Sequence, residues 1–337
     1  MRAYAIRRAL LIIPTIFIVT VMVFFSVRFI PGDVIDLMVT EMAQESGMGS
    51  ELTAETIRHS LGLDEPVFTQ YGRWLGVLPQ REEDVKEGES RFRGAFQGNF
   101  GESLWTGRSV RDDIFSRYPI SFELGAIAII TSMIIALPIG IYSAIRQDTI
   151  GDYAGRTFAI LAISVPSFWM ATIVVVYPAI WWNWTPPVQY IPLWDNPIEN
   201  LKQFFLPAII MGMHMAGGTM RMTRTMMLEV LRQDYIRTAW AKGLNERTII
   251  WRHALKNAFI PIITIVGPMI LVLIGGSVIM EQIFCLPGLG RLFIEALNKR
   301  DYVVISGMNT ITATGIVFIN LAVDLSYAWF DPRIQYR

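Results

Sequence analysis

The feature that most constrains this chain is an uncharged apolar run near its start, which covers residues 9–27. A helix needs about 20 apolar residues, at ~1.5 Å each, to cross the hydrocarbon layer of a membrane. A secretory signal peptide has a shorter apolar core and ends in a small-residue cleavage site, which this run lacks. The run therefore predicts a helix that spans a membrane and is retained.

Further apolar stretches follow along the chain. Hydrophobic residues make up 53% of the 337 positions and charged residues only 17%. A water-soluble domain of this length needs a larger charged fraction to cover its surface. We therefore predict an all-α membrane protein with six transmembrane helices, at residues 9–27, 120–145, 157–182, 204–220, 259–284 and 302–329.

The basic residues of the short loops predict how these helices are oriented. With the N-terminus inside, the cytoplasmic segments 1–8, 146–156, 221–258 and 330–337 hold fifteen Lys and Arg residues. The short outer loops hold four. Because basic loops favour the cytoplasmic side, both termini are predicted to be cytoplasmic.

One long hydrophilic segment separates the first two predicted helices, and it predicts that the chain is organised in three parts. Residues 1–30 form the cytoplasmic N-terminus and the first transmembrane helix, and residues 31–119 form an extracytoplasmic subdomain. Residues 120–337 form a core of five helices, which includes the cytoplasmic loop 221–258.

Ionisable and polar residues inside the predicted helices are candidates for a polar path. An ionisable side chain at membrane depth costs roughly 2.5–3.5 kcal/mol, so it faces protein or water. The candidates are Glu123, His214, Glu281 and Asp324, followed by Ser164, Ser167 and Trp169 in the third helix. The three acids lie close enough to helix ends to reach the interface. His214 lies deeper, as a hydrogen-bonded structural residue or as part of the path.

Helix-breaking residues interrupt several predicted helices, notably Pro166 in the third and Gly275–Gly276 in the fifth. They predict either kinks that shape the packing or hinges around a moving pore.

Known catalytic motifs are absent from the sequence. It contains no GxxxxGK[ST], HExxH or GxSxG pattern. The single cysteine, Cys285, excludes an intrachain disulfide, and three histidines do not favour a metal site. We therefore predict no catalytic site, no metal site and no cofactor on this chain. Its zero net charge gives no indication of nucleic acid binding.

A basic amphipathic segment, "DYIRTAWAKGLNERTIIWRHALKNAFIP", lies between the fourth and fifth predicted helices. Its apolar residues Ile236, Ala239, Trp240 and Leu244 recur at helical intervals. Gly243 would cost ~1 kcal/mol inside a helix, so it predicts a corner between two short helices. Three interpretations remain open: a helix lying on anionic lipid, plain charge-directed topology, or a docking element for a cytoplasmic partner.

The same segment resembles the conserved cytoplasmic loop of permeases from ATP-binding-cassette importers, through "RTAWAK", Gly243 and "HALKNAFIP". It is most similar to the B-type subunit of the oligopeptide, dipeptide and nickel importers. The similarity extends to "RFIPGDVIDLM", "LGLDEPVFTQYGRWLG", "GNFGESLWTGRSVRDDI", "PGLGRLFIEALNKRDY" and "NLAVDLSYAWFDPRIQYR", and so covers nearly the whole chain. The general importer loop has Glu-Ala-Ala ahead of the glycine, whereas this chain has Arg237, Thr238 and Ala239. That difference is typical of the peptide branch.

The resemblance implies the fold of a type I importer permease in the inner membrane. It implies that Ile236, Ala239, Trp240, Gly243 and Leu244 belong to a coupling helix seated in an ATPase subunit. The expected partners are a second homologous permease, two ATPase subunits that bind ATP and Mg²⁺, a substrate-binding protein and membrane lipid. The implied cargo is short peptides. The alternatives are a nickel chelate or another small solute and, from a different class, a stand-alone secondary transporter.

Overall fold

The computed structural model describes residues 2–28, 59, 64–82, 85 and 90–330 of the chain. Within these residues the secondary structure is helical, apart from an isolated bridge between Glu102 and Ser109. In chain order the elements are α1 (Arg2–Arg28), α2 (Val67–Leu75), a 3₁₀ turn (Ala95–Gln97), α3 (Val110–Ile145), α4 (Ile150–Ser164), α5 (Ser167–Trp182), α6 (Pro197–Leu231), α7 (Asp234–Ala241), α8 (Glu246–Thr248), a π-helical segment (Ile249–Ala254), α9 (Leu255–Gly275), α10 (Val278–Ile283), α11 (Leu289–Asn298) and α12 (Tyr302–Phe330).

Several helices match the predicted membrane-spanning stretches. Among the described residues, three are long and apolar enough to cross a membrane: Ile6–Ser26 within α1, Val110–Ile145 and Tyr302–Val323 within α12. The pair α4 and α5 is a fourth candidate if the two helices form one broken span. The apolar helices fit a membrane protein of the predicted class, and the count of six stays a prediction.

Two of the predicted helices are divided in the structure. The stretch 157–182 is bent by 88° between α4 and α5, at Pro166. Proline has no N–H to donate and clashes with the preceding helical turn. The stretch 259–284 is interrupted between α9 and α10 at Gly276. This residue has a φ of 69°, which glycine adopts without steric cost. Both breaks lie at the helix-breaking residues singled out in the sequence, Pro166 and Gly275–Gly276.

The chain folds as two compact units. The larger unit consists of Met1–Arg8, Tyr118–Arg291 and Phe318–Arg337, and the smaller unit consists of Ala9–Arg117 and Leu292–Val317. The predicted functional boundaries at residues 30 and 119 stay predictions.

Helix α6 is central to the larger unit, where it packs against α4, α5 and α9. Two of its glycines allow close approach of neighbouring backbones. A Cβ atom added at Gly212 would lie 2.8 Å from the carbonyl oxygen of Ala128, and one added at Gly217 would lie 2.7 Å from that of Ala159. Small residues at such crossings are characteristic of helices that pack inside membranes.

In the smaller unit, α2 packs on α1 through aromatic side chains. The ring of Phe24 lies 5.1 Å from that of Tyr71 and 5.5 Å from that of Trp74, between centroids. The hydroxyls of Thr20 and Tyr71 are also hydrogen-bonded at 2.9 Å. These contacts fix one face of the amphipathic α2 against the first helix.

Candidate functional site

The segment between α6 and α9 forms a corner around Gly243. Helix α7 ends at Ala241, and Gly243 has a φ of 76°, which glycine adopts without the steric cost of a Cβ. No atom lies within 4 Å of a Cβ added there, so backbone conformation rather than space favours glycine. The Asn245 side chain then accepts a 2.9 Å hydrogen bond from the Thr248 backbone and caps α8. The predicted corner is confirmed.

The apolar residues of this corner are divided between the chain's own core and the surface. Ile236 and Ala239 are only 1% and 6% exposed, and they pack in a cluster with residues of α3, α6 and the π-helical segment. Trp240 is 49% exposed and Leu244 37% exposed. The expectation that all four present one face to a partner is corrected, because the short α7 uses half of that face to bind its own neighbouring helices.

Polar contacts also fasten the corner to α3 and α9. The guanidinium of Arg146, at the end of α3, lies 2.9 and 3.1 Å from the two carboxylate oxygens of Glu246. The side-chain amide of Asn257 donates a 2.7 Å hydrogen bond to the hydroxyl of Tyr235. Such exposed contacts are individually weak. Together with the buried Ile236 they attach the corner to three helices of the larger unit.

A buried carboxylate, Asp152, joins α3, α4 and α6. The Arg224 guanidinium donates two hydrogen bonds to it, from Nε to Oδ1 at 2.9 Å and from Nη2 to Oδ2 at 3.0 Å. The Ser143 hydroxyl donates to Oδ1, and the backbone N–H of Asp148 donates to Oδ2 at 3.1 Å. Arg156, one turn along α4, lies 3.4 Å from Oδ1. The two parallel hydrogen bonds from Arg224 form a bidentate, charge-assisted pair, which is the strong form of such an interaction.

This ion pair is not predicted from the sequence. Arg224 is there one of eight basic residues in the predicted cytoplasmic segment 221–258, and Asp152 belongs to no recognised motif. The two residues are 72 positions apart, so no local pattern joins them. The short loop 146–156 holds two acidic and two basic residues, and nothing in this pattern distinguishes Asp152 from Asp148.

His214 compensates for the break at Pro166. In a straight helix the carbonyl of Ala162 would accept a hydrogen bond from the N–H of residue 166, which proline lacks. His214 Nδ1 lies 3.1 Å from that carbonyl oxygen. Since a carbonyl only accepts, Nδ1 is the donor, and Nε2 of the neutral ring is then an acceptor. This agrees with the structural interpretation of His214, although its side chain is exposed.

The other predicted path residues lie around the same bend. Ser164 is exposed at the end of α4, Ser167 is partly buried at the start of α5, and Trp169 is 51% exposed on the first turn of α5. Their role in a path stays a prediction.

Glu281 is fully buried within the fold, and its position relative to the membrane interface stays a prediction. Its Oε1 accepts hydrogen bonds from the Ser121 hydroxyl at 2.8 Å and from the Ser277 backbone N–H at 3.0 Å. Its Oε2 accepts from the backbone N–H of Arg291 at 3.2 Å. The carboxylate therefore ties together the ends of α10 and α11 and anchors them to α3.

Of the remaining predicted acids, Glu123 lies within the described part of the chain. Glu123 is partly buried, and its Oε2 lies 3.4 Å from the Asn200 side-chain amide. The side chain of Asp324 lies outside the described part of the chain. Within the described ranges, no group of three or more His, Cys, Asp or Glu side chains is arranged to hold a metal ion.

Two family matches together cover most of the chain. Residues 136–336 match the binding-protein-dependent transport system inner membrane component, and residues 1–125 match the N-terminal part of such membrane components. The chain is 36% identical to the oligopeptide transport system permease protein AppB of Bacillus subtilis (strain 168), over 339 residues. It is 33% identical to the dipeptide transport system permease protein DppB of Escherichia coli (strain K12), over 360 residues. Both alignments cover 100% of each chain.

Proposed function

The chain belongs to the family of inner membrane components of binding-protein-dependent transport systems, and on this premise we propose that it is the permease subunit of an ATP-driven importer of short peptides. The full-length similarity to an oligopeptide and a dipeptide permease supports peptides as the cargo, and does not favour the nickel alternative. It also argues against a stand-alone secondary transporter. The chain itself performs no covalent chemistry in this proposal.

The observation that carries the proposal is the corner at 234–254. The side chains of Trp240 and Leu244 are exposed on this corner, whereas that of Ile236 is buried against neighbouring helices of the same chain. An element that transmits motion must contact a partner on one side and be rigidly attached to moving helices on the other. We propose that Trp240 and Leu244 contact an ATPase subunit and that Gly243 sets the angle between the two short helices.

The proposed transmission runs through the contacts that fasten the corner. Displacement of the corner acts on the end of α3 through the ion pair between Arg146 and Glu246 of α8. It acts on α6 through the buried apolar cluster that contains Ile236 of α7. The Asp152–Arg224 pair then makes α4 and α6 respond together, and the Ser143 hydroxyl joins α3 to them. In this way closure of the ATPase subunits, which bind ATP and Mg²⁺, would alternately open a path to the two sides of the membrane.

The remaining partners and the topology belong to the same proposal. A second, homologous permease supplies the other half of the path, and a binding protein delivers the peptide to the extracytoplasmic subdomain 31–119. Both termini and residues 221–258 lie in the cytoplasm, in a six-span chain. In a background in which Cys285 is replaced by serine, an impermeant thiol reagent added outside should label cysteines at 185–200 but not at Asn245. Strong outside labelling at Asn245 would contradict the topology.

Reconstituted uptake tests the function. The complete complex in proteoliposomes, with its binding protein outside and ATP inside, should accumulate a labelled dipeptide. The matched control replaces ATP by a non-hydrolysable analogue, and a nickel chelate serves as the competing cargo. Uptake that is independent of ATP, or uptake of the chelate without that of the peptide, would contradict the proposal.

A further inference from the structure

The exposed face of α6 changes sides along the length of the helix. In its first half the exposed residues are Pro197, Ile198, Leu201, Lys202 and Phe205. In its second half they are His214, Gly218, Arg221, Thr225 and Glu229. At ~100° per residue these two sets lie on roughly opposite sides of the helix. Between them, around Gly212, neighbouring helices cover α6 on both sides.

The second set forms a continuous stripe. Its members follow one another at intervals of four, three, four and four residues, which keeps them within ~80° of the helix circumference. From His214 to Glu229 the stripe is about 22 Å long at ~1.5 Å per residue. We call these five residues the polar stripe. All of them are polar except Gly218, which presents bare backbone.

The part of the polar stripe inside the predicted span 204–220 is poorly suited to contact with lipid. His214 lies about two residues from the centre of that span, while Arg221, Thr225 and Glu229 continue the stripe past its predicted cytoplasmic end. Polar and ionisable side chains at that depth face protein or water because transfer to hydrocarbon is costly. No atom lies within 4 Å of a Cβ added at Gly218, so the stripe has a shallow gap there. A hydrated cavity satisfies all of these groups.

Two members of the stripe could bind a solute. The Nδ1 of His214 is occupied by the Ala162 carbonyl, which leaves Nε2 as an outward-facing acceptor in the neutral ring. Arg221 is exposed, and within the described ranges its guanidinium has no carboxylate at ion-pair distance. Arg224, one turn on, is by contrast bound to Asp152. An arginine without a partner fits a carboxylate in bidentate geometry.

We propose that the polar stripe lines the hydrated path of the transporter and that Arg221 binds the carboxylate of the solute as it passes. This deepens the proposed function and rests on it. The apolar residues on the other half of α6 then face lipid or protein. The same helix thus serves as an outer packing surface and as an inner wall of the path.

Water access to the stripe is tested by cysteine reactivity in the complete complex, with Cys285 replaced by serine. Gly218→Cys should react with a charged, impermeant methanethiosulfonate, and its rate should change when a non-hydrolysable ATP analogue is added. The matched control is Ile160→Cys on α4, which is 58% exposed but apolar, and which should react at least about tenfold more slowly. If Gly218→Cys reacts only with a lipid-soluble maleimide, or with neither reagent in any state, the stripe faces lipid or the second permease and the inference is wrong.

Carboxylate binding by Arg221 is tested by a double ratio. Uptake of a peptide and of its C-terminal amide is measured for the parent complex and for Arg221→Gln. The peptide-to-amide uptake ratio of the parent is divided by that of the variant, so that the preference of the unchanged binding protein cancels. Loss of a charge-assisted hydrogen bond should lower the preference for the carboxylate about tenfold, and Arg221→Lys should restore part of it. A double ratio of one would overturn the role of Arg221. If the parent complex shows no ATP-dependent uptake, the proposed function fails instead, and the cysteine reactivities alone decide whether the stripe is hydrated.

Discussion

Asp152 and Glu281 are both fully buried carboxylates of the larger unit, but their hydrogen-bond donors differ in charge. Asp152 is bound by the Arg224 guanidinium at both oxygens. Glu281 is bound by the Ser121 hydroxyl and by the backbone N–H groups of Ser277 and Arg291. The first arrangement joins α4 to α6 through a side-chain ion pair and to α3 through the Ser143 hydroxyl, and the second organises the short elements between α9 and α11.

The difference in the charge of the hydrogen-bond donors indicates how each region can respond when a neighbouring helix is displaced. A buried ion pair is strongly destabilised when one partner is withdrawn, since the other charge is left unpaired. Its members therefore tend to move together. Neutral donors can be replaced one at a time at a smaller cost. We infer that the helices around Asp152 move as one body, whereas the segment around Glu281 can rearrange locally.

The largest expected effect comes from Arg224→Met. It removes the bidentate guanidinium and leaves the buried Asp152 with only the longer 3.4 Å contact to Arg156. It should lower the free energy of unfolding of the purified complex by about 3 kcal/mol, the lower end for breaking a buried ion pair. Arg224→Lys keeps the charge but not the bidentate geometry, and its stability should lie between those of the parent complex and Arg224→Met. Adding Asp152→Asn to Arg224→Met removes the poorly compensated charge and should recover much of the loss. If Arg224→Met lowers the free energy of unfolding by less than ~1 kcal/mol, the ion pair stabilises Asp152 no more than neutral donors stabilise Glu281.

A smaller effect is expected at Glu281. Glu281→Gln retains one acceptor oxygen and turns the other into an amide that faces an N–H donor, which should cost about 1–3 kcal/mol. Thermal unfolding of the complex measures the loss, with Ser121→Ala, which deletes a single hydroxyl, as the matched control. If Glu281→Gln lowers the free energy of unfolding as much as Arg224→Met does, the neutral donors stabilise Glu281 as strongly as the arginine stabilises Asp152, and the proposed difference between the two carboxylates is wrong.

His214 provides a neutral donor at an exposed position, and its loss should cost less again. His214→Leu leaves the Ala162 carbonyl without its protein donor, at about 1 kcal/mol, because water can replace part of the bond. Pro166→Ala would return a backbone N–H to that carbonyl. In a double-mutant cycle the two substitutions should therefore be non-additive. Additivity would show that His214 does not compensate for the proline.

The smallest effect concerns an exposed ion pair in the smaller unit, between Arg81 and Asp64 at 2.7 Å. The hydrogen bond from Arg81 holds the pKa of Asp64 below its usual 3.8. Stability from this pair is therefore present above that value and is lost as the pH falls through the lowered pKa. Unfolding followed between pH 5 and 2 should show a slightly weaker acid dependence for Asp64→Asn. An effect as large as that of Arg224→Met would erase the distinction between exposed and buried pairs.

The sequence predicted the parts of this structure that depend on composition and local pattern. The apolar run in α1 and the corner at Gly243 follow from length, hydropathy and the conformational freedom of glycine. Pro166 signalled an irregularity in the third span, but the 88° bend depends on which helices pack around it. An amphipathic spacing likewise does not reveal what covers each residue, so the burial of Ile236 was missed.

The contrast between the two carboxylates could not be predicted. Asp152 and Glu281 are each bound by groups far away in sequence, 72 and 160 positions for Arg224 and Ser121. Only the packing of α3 against α4, α6 and the segment after α9 brings these groups together. Burial of a charged residue is decided at that level, after the helices have formed.

The central claim is that the open residues of the 234–254 corner contact an ATPase subunit. Leu244→Asp places an unpaired charge in that contact, and should cost several kcal/mol of binding when it is desolvated. The substitution should leave the fold intact, because Leu244 is 37% exposed in this chain. Thr238→Asp adds the same charge to the opposite side of α7 and serves as the control.

Copurification of the ATPase subunits with tagged permease is the most direct measurement. Leu244→Asp should insert into the membrane in normal amounts, lose its ATPase subunits and fail to transport, while Thr238→Asp keeps both. If the corner instead lies on lipid, ATPase binding persists and any defect depends on the content of anionic lipid. Full recovery of ATPase subunits and of substrate-stimulated hydrolysis with Leu244→Asp would contradict the account.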